Sequence, residues 1–340
     1  MNCDFGDLMM GYDFKDHSPL FCVRYNLFMS YRLLFLDLDG TLVGVHDTVS
    51  PRNLKALADA NAAGCTVVIC TARTRYMVRH IAEQWTGHGY GVFTNGAVIM
   101  EWETGLVLRK TPVPQPAMRS TIELARQAGL AILLFGTRVD IDGGQAVLAE
   151  EGASLHGAWE AMHGHRIVRS PDLLAEFSGM EPEARWHATA EEQSGLPPSP
   201  FHGEGRGEVS GLEPLTMGVY GDREPVEAFA ASLRSTLATA VDVFCAADPK
   251  YDGWCCYLNS SKANKAAGAA HVAHMLNVPR EQIMAIGDHM NDVEMLRWAG
   301  LGVAMGDGHV DAHSAADHVT AAQEADGVAE AIERFVLGRF

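Results

Sequence analysis

The apolar run Leu33-Leu34-Phe35-Leu36 leads directly into Asp37-Leu38-Asp39-Gly40-Thr41. A short, uninterrupted apolar run predicts a strand covered on both faces, and acids at i and i+2 leave an extended chain on one side. Gly40 then permits a sharp turn. A helix follows with Ser50 as N-cap, Pro51 at its first position, Leu54, Leu57 and Ala58 at helical spacing, and Gly64 as its stop. Thr66 to Cys70 is a second continuous apolar strand, ending in Thr71-Ala72-Arg73 before a helix from Tyr76 to Trp85. A third strand, Gly91 to Thr94, ends in Asn95-Gly96, and Val98 to Arg109 reads as a hairpin turning at Glu103-Thr104-Gly105. This alternation predicts an α/β fold with a doubly wound, Rossmann-like parallel sheet.

From Thr111 the pattern changes. Pro112, Pro114 and Pro116 mark a linker, because proline continues neither a helix interior nor a central strand. A helix (Ala117 to Ala128), a strand (Leu130 to Phe135), a mixed region and a strand-helix-strand set (Leu215 to Tyr220, Glu224 to Leu237, Val241 to Ala246) follow, predicting a separate α+β unit. Residues 193–213, rich in Gly, Pro, Ser and Glu, read as a disordered loop. Their Gly203-x-Gly205-x-Gly207 follows no strand and lacks dinucleotide spacing. Gly253 to Asn259 reads as the return strand, and a helix starts at Lys262 or Lys265 and runs to Val278. Ile283 to Gly287 is another buried strand ending in acids, Gly302 to Met305 a last strand, and Gly327 to Ile332 a closing helix. The expected division is a weakly structured extension over 1–28, a core from 29–111 and 253–340, and an inserted domain over 112–252.

Composition narrows the function classes. The chain has 340 residues, 47% hydrophobic and 20% charged, and a formal net charge of −17. That balance belongs to a globular protein and disfavours nucleic acid and anionic membranes as partners. No apolar run reaches the roughly 18 residues of a membrane span. Residues 1–28 are acidic early on (Asp4, Asp7, Asp13, Asp16), unlike a signal peptide, with Met29 a plausible true start. The seven cysteines are scattered without CxxC pairs, which predicts reduced thiols in a cytoplasmic protein. His163-Gly164-His165, with no further ligand cluster, reads as a solvated loop.

Asp37 and Asp39, Thr71, Lys262 or Lys265, and Asp288, Asn291 and Asp292 all fall at expected carboxyl ends of strands or just beyond. In an open parallel sheet such edges converge on one crevice. Several carboxylates suit a hard divalent cation such as Mg2+, and an amine and a hydroxyl beside them can hold a phosphoryl group while one Asp attacks phosphorus. A small phosphorylated substrate follows as the partner, for a monomer or homodimer.

Asp37-Leu38-Asp39-Gly40-Thr41 matches the DxDGT signature of the haloacid dehalogenase superfamily. Gly287-Asp288-His289-Met290-Asn291-Asp292-Val293-Glu294-Met295-Leu296, then Gly302-Val303-Ala304-Met305-Gly306, resembles its Cof-type sugar-phosphatase branch. The resemblance covers 31–110 and 253–335, and the middle matches only as a large insertion between motifs. It implies that Asp37 is the nucleophile, that Asp39 is general acid and then base, and that Thr71 and a lysine hold the phosphoryl group. It further implies Mg2+ on Asp37, the Asp39 carbonyl and Asp288, with Asp292 and Asn291 close behind. Lys265 is preferred over Lys262 because Gly268, Val272, Leu276 and Val278 fall at the offsets of the family's lysine helix. Gly40, Ala72, Arg73, Asn95 and Asn291 are candidate substrate contacts, although Arg73 reads equally well as a helix-start or salt-bridging residue. The inserted domain would be a cap. Two departures stand out: Ala72 where the branch more often has Gly, and Asp307 where it usually has Asn. The competing readings are a phosphosugar mutase on the same fold and a phosphate-binding signalling module.

Overall fold

The computed structural model describes residues 31–84, 88–137, 145–152, 167–177, 213–248 and 252–339. The expectations for 1–28, for the loop over 193–212 and for His163 and His165 therefore lie outside the described residues.

Among the described residues, eight strands form the larger sheet: β1 (Leu33–Leu36), β2 (Thr66–Cys70), β3 (His88–Phe93), β4 (Val98–Glu101), β5 (Val107–Lys110), β12 (Ile283–Gly287), β13 (Leu301–Ala304) and β14 (His318–Val319). Their spatial order is β14-β13-β12-β1-β2-β3-β4-β5, parallel from β14 to β3 and closed by the antiparallel hairpin β4/β5. Both faces are covered. Leu34 and Leu36 pack in one cluster with Leu57 and Ala331, while Leu33 and Phe35 pack in another with Ala269 and Val272. An apolar run of period one is what such double coverage requires. From central β1 the chain passes to β2 and β3 on one side and later to β12, β13 and β14 on the other. The carboxyl end of β1 is thus the switch point of the sheet, where a crevice opens.

Six described strands form a second sheet in the order β10-β11-β9-β6-β7-β8: β6 (Ile132–Thr137), β7 (Gln145–Glu150), β8 (Ile167–Ser170), β9 (Glu213–Gly221), β10 (Val241–Asp248) and β11 (Gly253–Ser260). All neighbours are antiparallel except β7 and β8. Two helices, Gln115–Ala128 and Arg223–Leu237, cover one face of this sheet.

One boundary differs from the sequence reading. Gly253–Ser260 does not return to the larger sheet: it pairs along its length with β10 and with β9. Cys256 and Leu258 alternate onto the helix-covered face, so the strand is held by period-two burial there. The chain re-enters the larger unit only with the helix Lys265–Met275. Among the described residues, no helix is long and apolar enough to cross a membrane.

Candidate active site

Asp37 continues β1 by one backbone bond, its N–H donating to the Ile286 carbonyl at 3.1 Å. The residue is 4% exposed. Lys265 is 1% exposed and donates from Nζ to Asp37 Oδ1 and to Asp292 Oδ1, each at 2.7 Å. Asn264 caps the lysine's helix through the Ala267 N–H, which fixes where the helix begins and so where Lys265 stands. Lys262 is exposed. Of the two lysines, Lys265 is the one the fold brings to Asp37. The lysine does not follow a strand of the larger sheet, as expected; it enters from the first turn of a helix whose preceding strand belongs to the other sheet.

Asp288 follows β12 and accepts a hydrogen bond from the Thr41 hydroxyl at 2.9 Å. Asp37, Asp288 and Asp292 offer oxygens within 4.8 Å of one another. Burial raises the pKa of Asp37 well above the carboxylate range; Asp292 and Asp288 add to the shift, and Lys265 opposes it. Asp288 is raised by burial and then by Asp292. For Lys265, burial works against the charge, but Asp292 and Asp37 outweigh it and hold the ammonium protonated. Three acids against one amine leave net negative charge in a buried place, and hard oxygen donors around it fit a divalent cation. Asp292 differs from the other two acids. Besides its bond to Lys265, its Oδ2 accepts the N–H groups of Asp288 (3.2 Å) and His289 (3.1 Å). Both its oxygens are committed, so its geometry suits orienting Lys265 and the Asp288 turn more than ligating a metal directly.

Asp39 and Gly40 are exposed at the crevice. Arg73 grips the Asp39 carboxylate with a two-pronged fork, Nε to Oδ2 at 2.8 Å and a second bond from its terminal nitrogen to Oδ1, and also bonds Asp47 at 2.7 Å. The Asp47 carboxylate meets the His80 ring as well, at 3.2 Å. Arg73 is thus neither a loose surface group nor a simple helix cap; it ties the Asp39 loop to the Thr71 turn. Thr71 is fully buried at the end of β2, and its hydroxyl oxygen accepts the Arg73 N–H at 3.1 Å.

Thr94 and Asn95 both take left-handed φ, 55° and 53°. That is costly for a β-branched residue, and such strain concentrates at functional sites. The turn places Asn95 Oδ1 to accept from Asn291 Nδ2 at 3.0 Å. A cavity of about 450 Å3 lies above, lined by Asp39, Ala72, Arg73, Asn95 and Asn291 on one side and by side chains of the six-stranded sheet on the other. Asp307, the other departure, is exposed and accepts the Gln323 N–H at 3.1 Å. Residue-by-residue reading missed Thr41, Asp47 and the cavity's aromatic wall. Thr41 lay inside the quoted motif and could have been found there; the other two have no local sequence signal.

A profile of haloacid dehalogenase-like hydrolases matches residues 34–150 and 209–332. The chain is 27% identical over 307 residues, 90% of its length and 96% of the relative's, to 5-amino-6-(5-phospho-D-ribitylamino)uracil phosphatase YcsE of Bacillus subtilis (strain 168). It is 27% identical over 312 residues, 90% of its length and 100% of the relative's, to phosphatase YwpJ of the same organism. The crystal structure of a haloacid dehalogenase-like hydrolase from Bacteroides thetaiotaomicron superposes with a TM-score of 0.66 at 26% identity, covering 89% of this chain and 99% of that one.

Proposed function

The chain belongs to the haloacid dehalogenase-like hydrolases and is a phosphatase, and from that premise we propose a Mg2+-dependent phosphohydrolase of small phosphorylated metabolites, sugar phosphates in class, working through an aspartyl-phosphate. The observation that carries this reading is the buried Asp37-Lys265-Asp292 bridge at the switch point of the larger sheet, with Asp39 at the rim of the same crevice.

Asp37 Oδ2 attacks phosphorus, and the bond from phosphorus to the leaving oxygen breaks as Asp39 donates a proton to that oxygen. Asp39, now a carboxylate, takes a proton from water, which attacks phosphorus and breaks the bond to Asp37. Inorganic phosphate leaves and both acids regain their starting states. Lys265 and the Thr71 hydroxyl steady the phosphoryl oxygens, and Asp292 keeps Lys265 charged and aimed. The Arg73 fork fits Asp39 in its carboxylate stage and aims it at the water, and Gly40, Ala72, Asn95 and Asn291 line the approach. Mg2+ would be held by Asp37, Asp288 and the main-chain carbonyl of Asp39, with Asp292 adjoining, and would supply positive charge opposite the transferring phosphoryl group. The six-stranded sheet is read as a cap over the crevice, excluding water and choosing the leaving group.

Asp37→Asn tests the chemistry. It is expected to abolish phosphate release and acid-stable labelling of the protein by a phosphorylated substrate, with the circular dichroism spectrum unchanged. Turnover retained by that variant would overturn the covalent route.

A further inference from the structure

The free face of the six-stranded sheet is unusual for a surface meeting a sugar. An antiparallel sheet with one face on a core commonly turns polar residues outward on the other. Here β6, β9, β10 and β11 turn Phe135, Tyr220, Phe244 and Tyr257 toward the cavity. Tyr220 and Tyr257 stand edge to face, with centroids 5.4 Å apart and planes at 84°, and Phe135 meets Tyr257 at 6.5 Å and 62°. Phe135, Tyr257 and Tyr220 form one panel, and Phe244 packs beside it against the His289 ring at 5.8 Å.

The backbone is arranged to keep that panel low. Gly218 lies directly across from Tyr257 in the β9/β11 ladder, and a Cβ there would sit 2.6 Å from the tyrosine Cδ1. The missing side chain lets the Tyr257 ring lie down over the sheet instead of standing into the cavity. Polar groups on and beside this wall are engaged within the protein. Asn259 Nδ2 donates to the carbonyls of Thr94 (3.1 Å) and Leu215 (3.0 Å), and the Thr216 hydroxyl donates to the Leu258 carbonyl at 2.9 Å. Apart from the Tyr220 and Tyr257 phenols, the wall therefore offers ring faces and edges. At about 450 Å3 the cavity also lies within the ~300–1,000 Å3 typical of pockets for a drug-sized ligand.

We propose that the cavity takes a phosphate ester whose leaving group carries a flat aromatic or heteroaromatic ring, seated against Tyr220, Tyr257 and Phe135 while the phosphate lies at Asp37. This rests on the phosphatase reading and sharpens its substrate class: a phosphosugar bearing a ring, not a bare sugar phosphate. Aromatic contacts favour an offset or edge-on ring beyond the gain from burial alone.

Matched esters test it. Initial rates are measured for uridine 5′-phosphate, pyridoxal 5′-phosphate and flavin mononucleotide against ribose 5-phosphate, glucose 6-phosphate and glycerol 3-phosphate. The best ring ester is expected to exceed the best ring-free ester in kcat/KM by about tenfold or more, which corresponds to about 1.4 kcal/mol. Tyr220→Ala should erase most of that ratio by lowering ring esters alone, and Tyr220→Phe should keep it. A ring-free ester turned over as well as the best ring ester, or an equal fall of both classes in Tyr220→Ala, would overturn the proposal. If no ester releases phosphate, the hydrolytic reading has failed instead. Calorimetric titration of the same esters into the wild-type protein then decides: tighter binding of the ring esters supports the site, and equal or absent binding overturns it.

Discussion

Lys265 carries one positive charge between two carboxylates, 2.7 Å from each, in a place water does not reach. An arrangement of this kind adds little net stability when intact, because desolvating the ions offsets their attraction, but it is intolerant of losing one member. Lys265→Met leaves Asp37 and Asp292 facing each other and is expected to cost about 3–5 kcal/mol in chemical denaturation. Lys262→Met, at an exposed position, should stay within about 0.5 kcal/mol. Equal effects of the two substitutions would mean that the bridge is not the keystone described. Arg73 shows the same logic nearer the surface. Its side chain is only 11% exposed between Asp39 and Asp47, and although burial alone would weaken its charge, the two carboxylates hold it firmly protonated.

At the scale of elements, the turn after β1 decides how the acids meet. Gly40 has φ +75°, and a Cβ on it would run into the Asp288 carboxylate. The turn and the Asp288 loop are thus packed face to face, with the Thr41 hydroxyl bonded across the same gap. Gly40→Ala is expected to cost about 1–2 kcal/mol from the left-handed backbone. By displacing Asp288 it should also raise the Mg2+ concentration for half-maximal activity about tenfold or more, the scale for disturbed ligand orientation. Activity titrated with Mg2+ at fixed substrate checks it, and an unchanged half-point would separate Asp288 from the cation. The helix Lys265–Met275 has a parallel role: Asn264 fixes its first turn, and the first turn fixes the lysine.

Across the whole molecule, the acid cluster links the fold's stability to pH. Asp37 and Asp288 have folded-state pKa values above those of an unfolded chain, so the stability they contribute is fully present below the unfolded value of about 4 and is lost as pH rises through the folded values. Stripped of divalent cations, the protein should therefore lose stability as pH rises above the ordinary carboxylate value of about 4. A cation offsets the same repulsion, so Mg2+ is expected to raise the unfolding temperature more at pH 8 than at pH 5. Thermal scans with Mg2+ or with chelator at the two pH values check this, and a cation effect larger at pH 5 would contradict it. The two sheets also meet through Asn259, whose amide spans from Thr94 to Leu215 and so couples the six-stranded sheet to the strained turn beside the site.

Local pattern was enough to specify the parallel sheet and its chemistry-bearing edge. Uninterrupted apolar runs at Leu33–Leu36, Thr66–Cys70 and Ile283–Gly287 require burial on both faces, and acids or hydroxyls placed just after them can only emerge at one rim. The placing of Asp37, Asp39, Thr71 and Asp288 at that rim was legible for that local reason, whereas Lys265 was preferred over Lys262 only through the resemblance to the family's lysine helix. Three things came only from the tertiary structure. Gly253–Ser260 joined the smaller sheet, because an alternating strand is satisfied by whichever partners offer matching register and a face to bury. Asp292 turned inward to hold Lys265 and two backbone N–H groups, and Asp47 met Arg73 from 26 residues away. The aromatic panel was assembled from strands distant in sequence. Local pattern reports how a segment must be buried; which side chains then share a cavity depends on pairings between segments that no local pattern encodes.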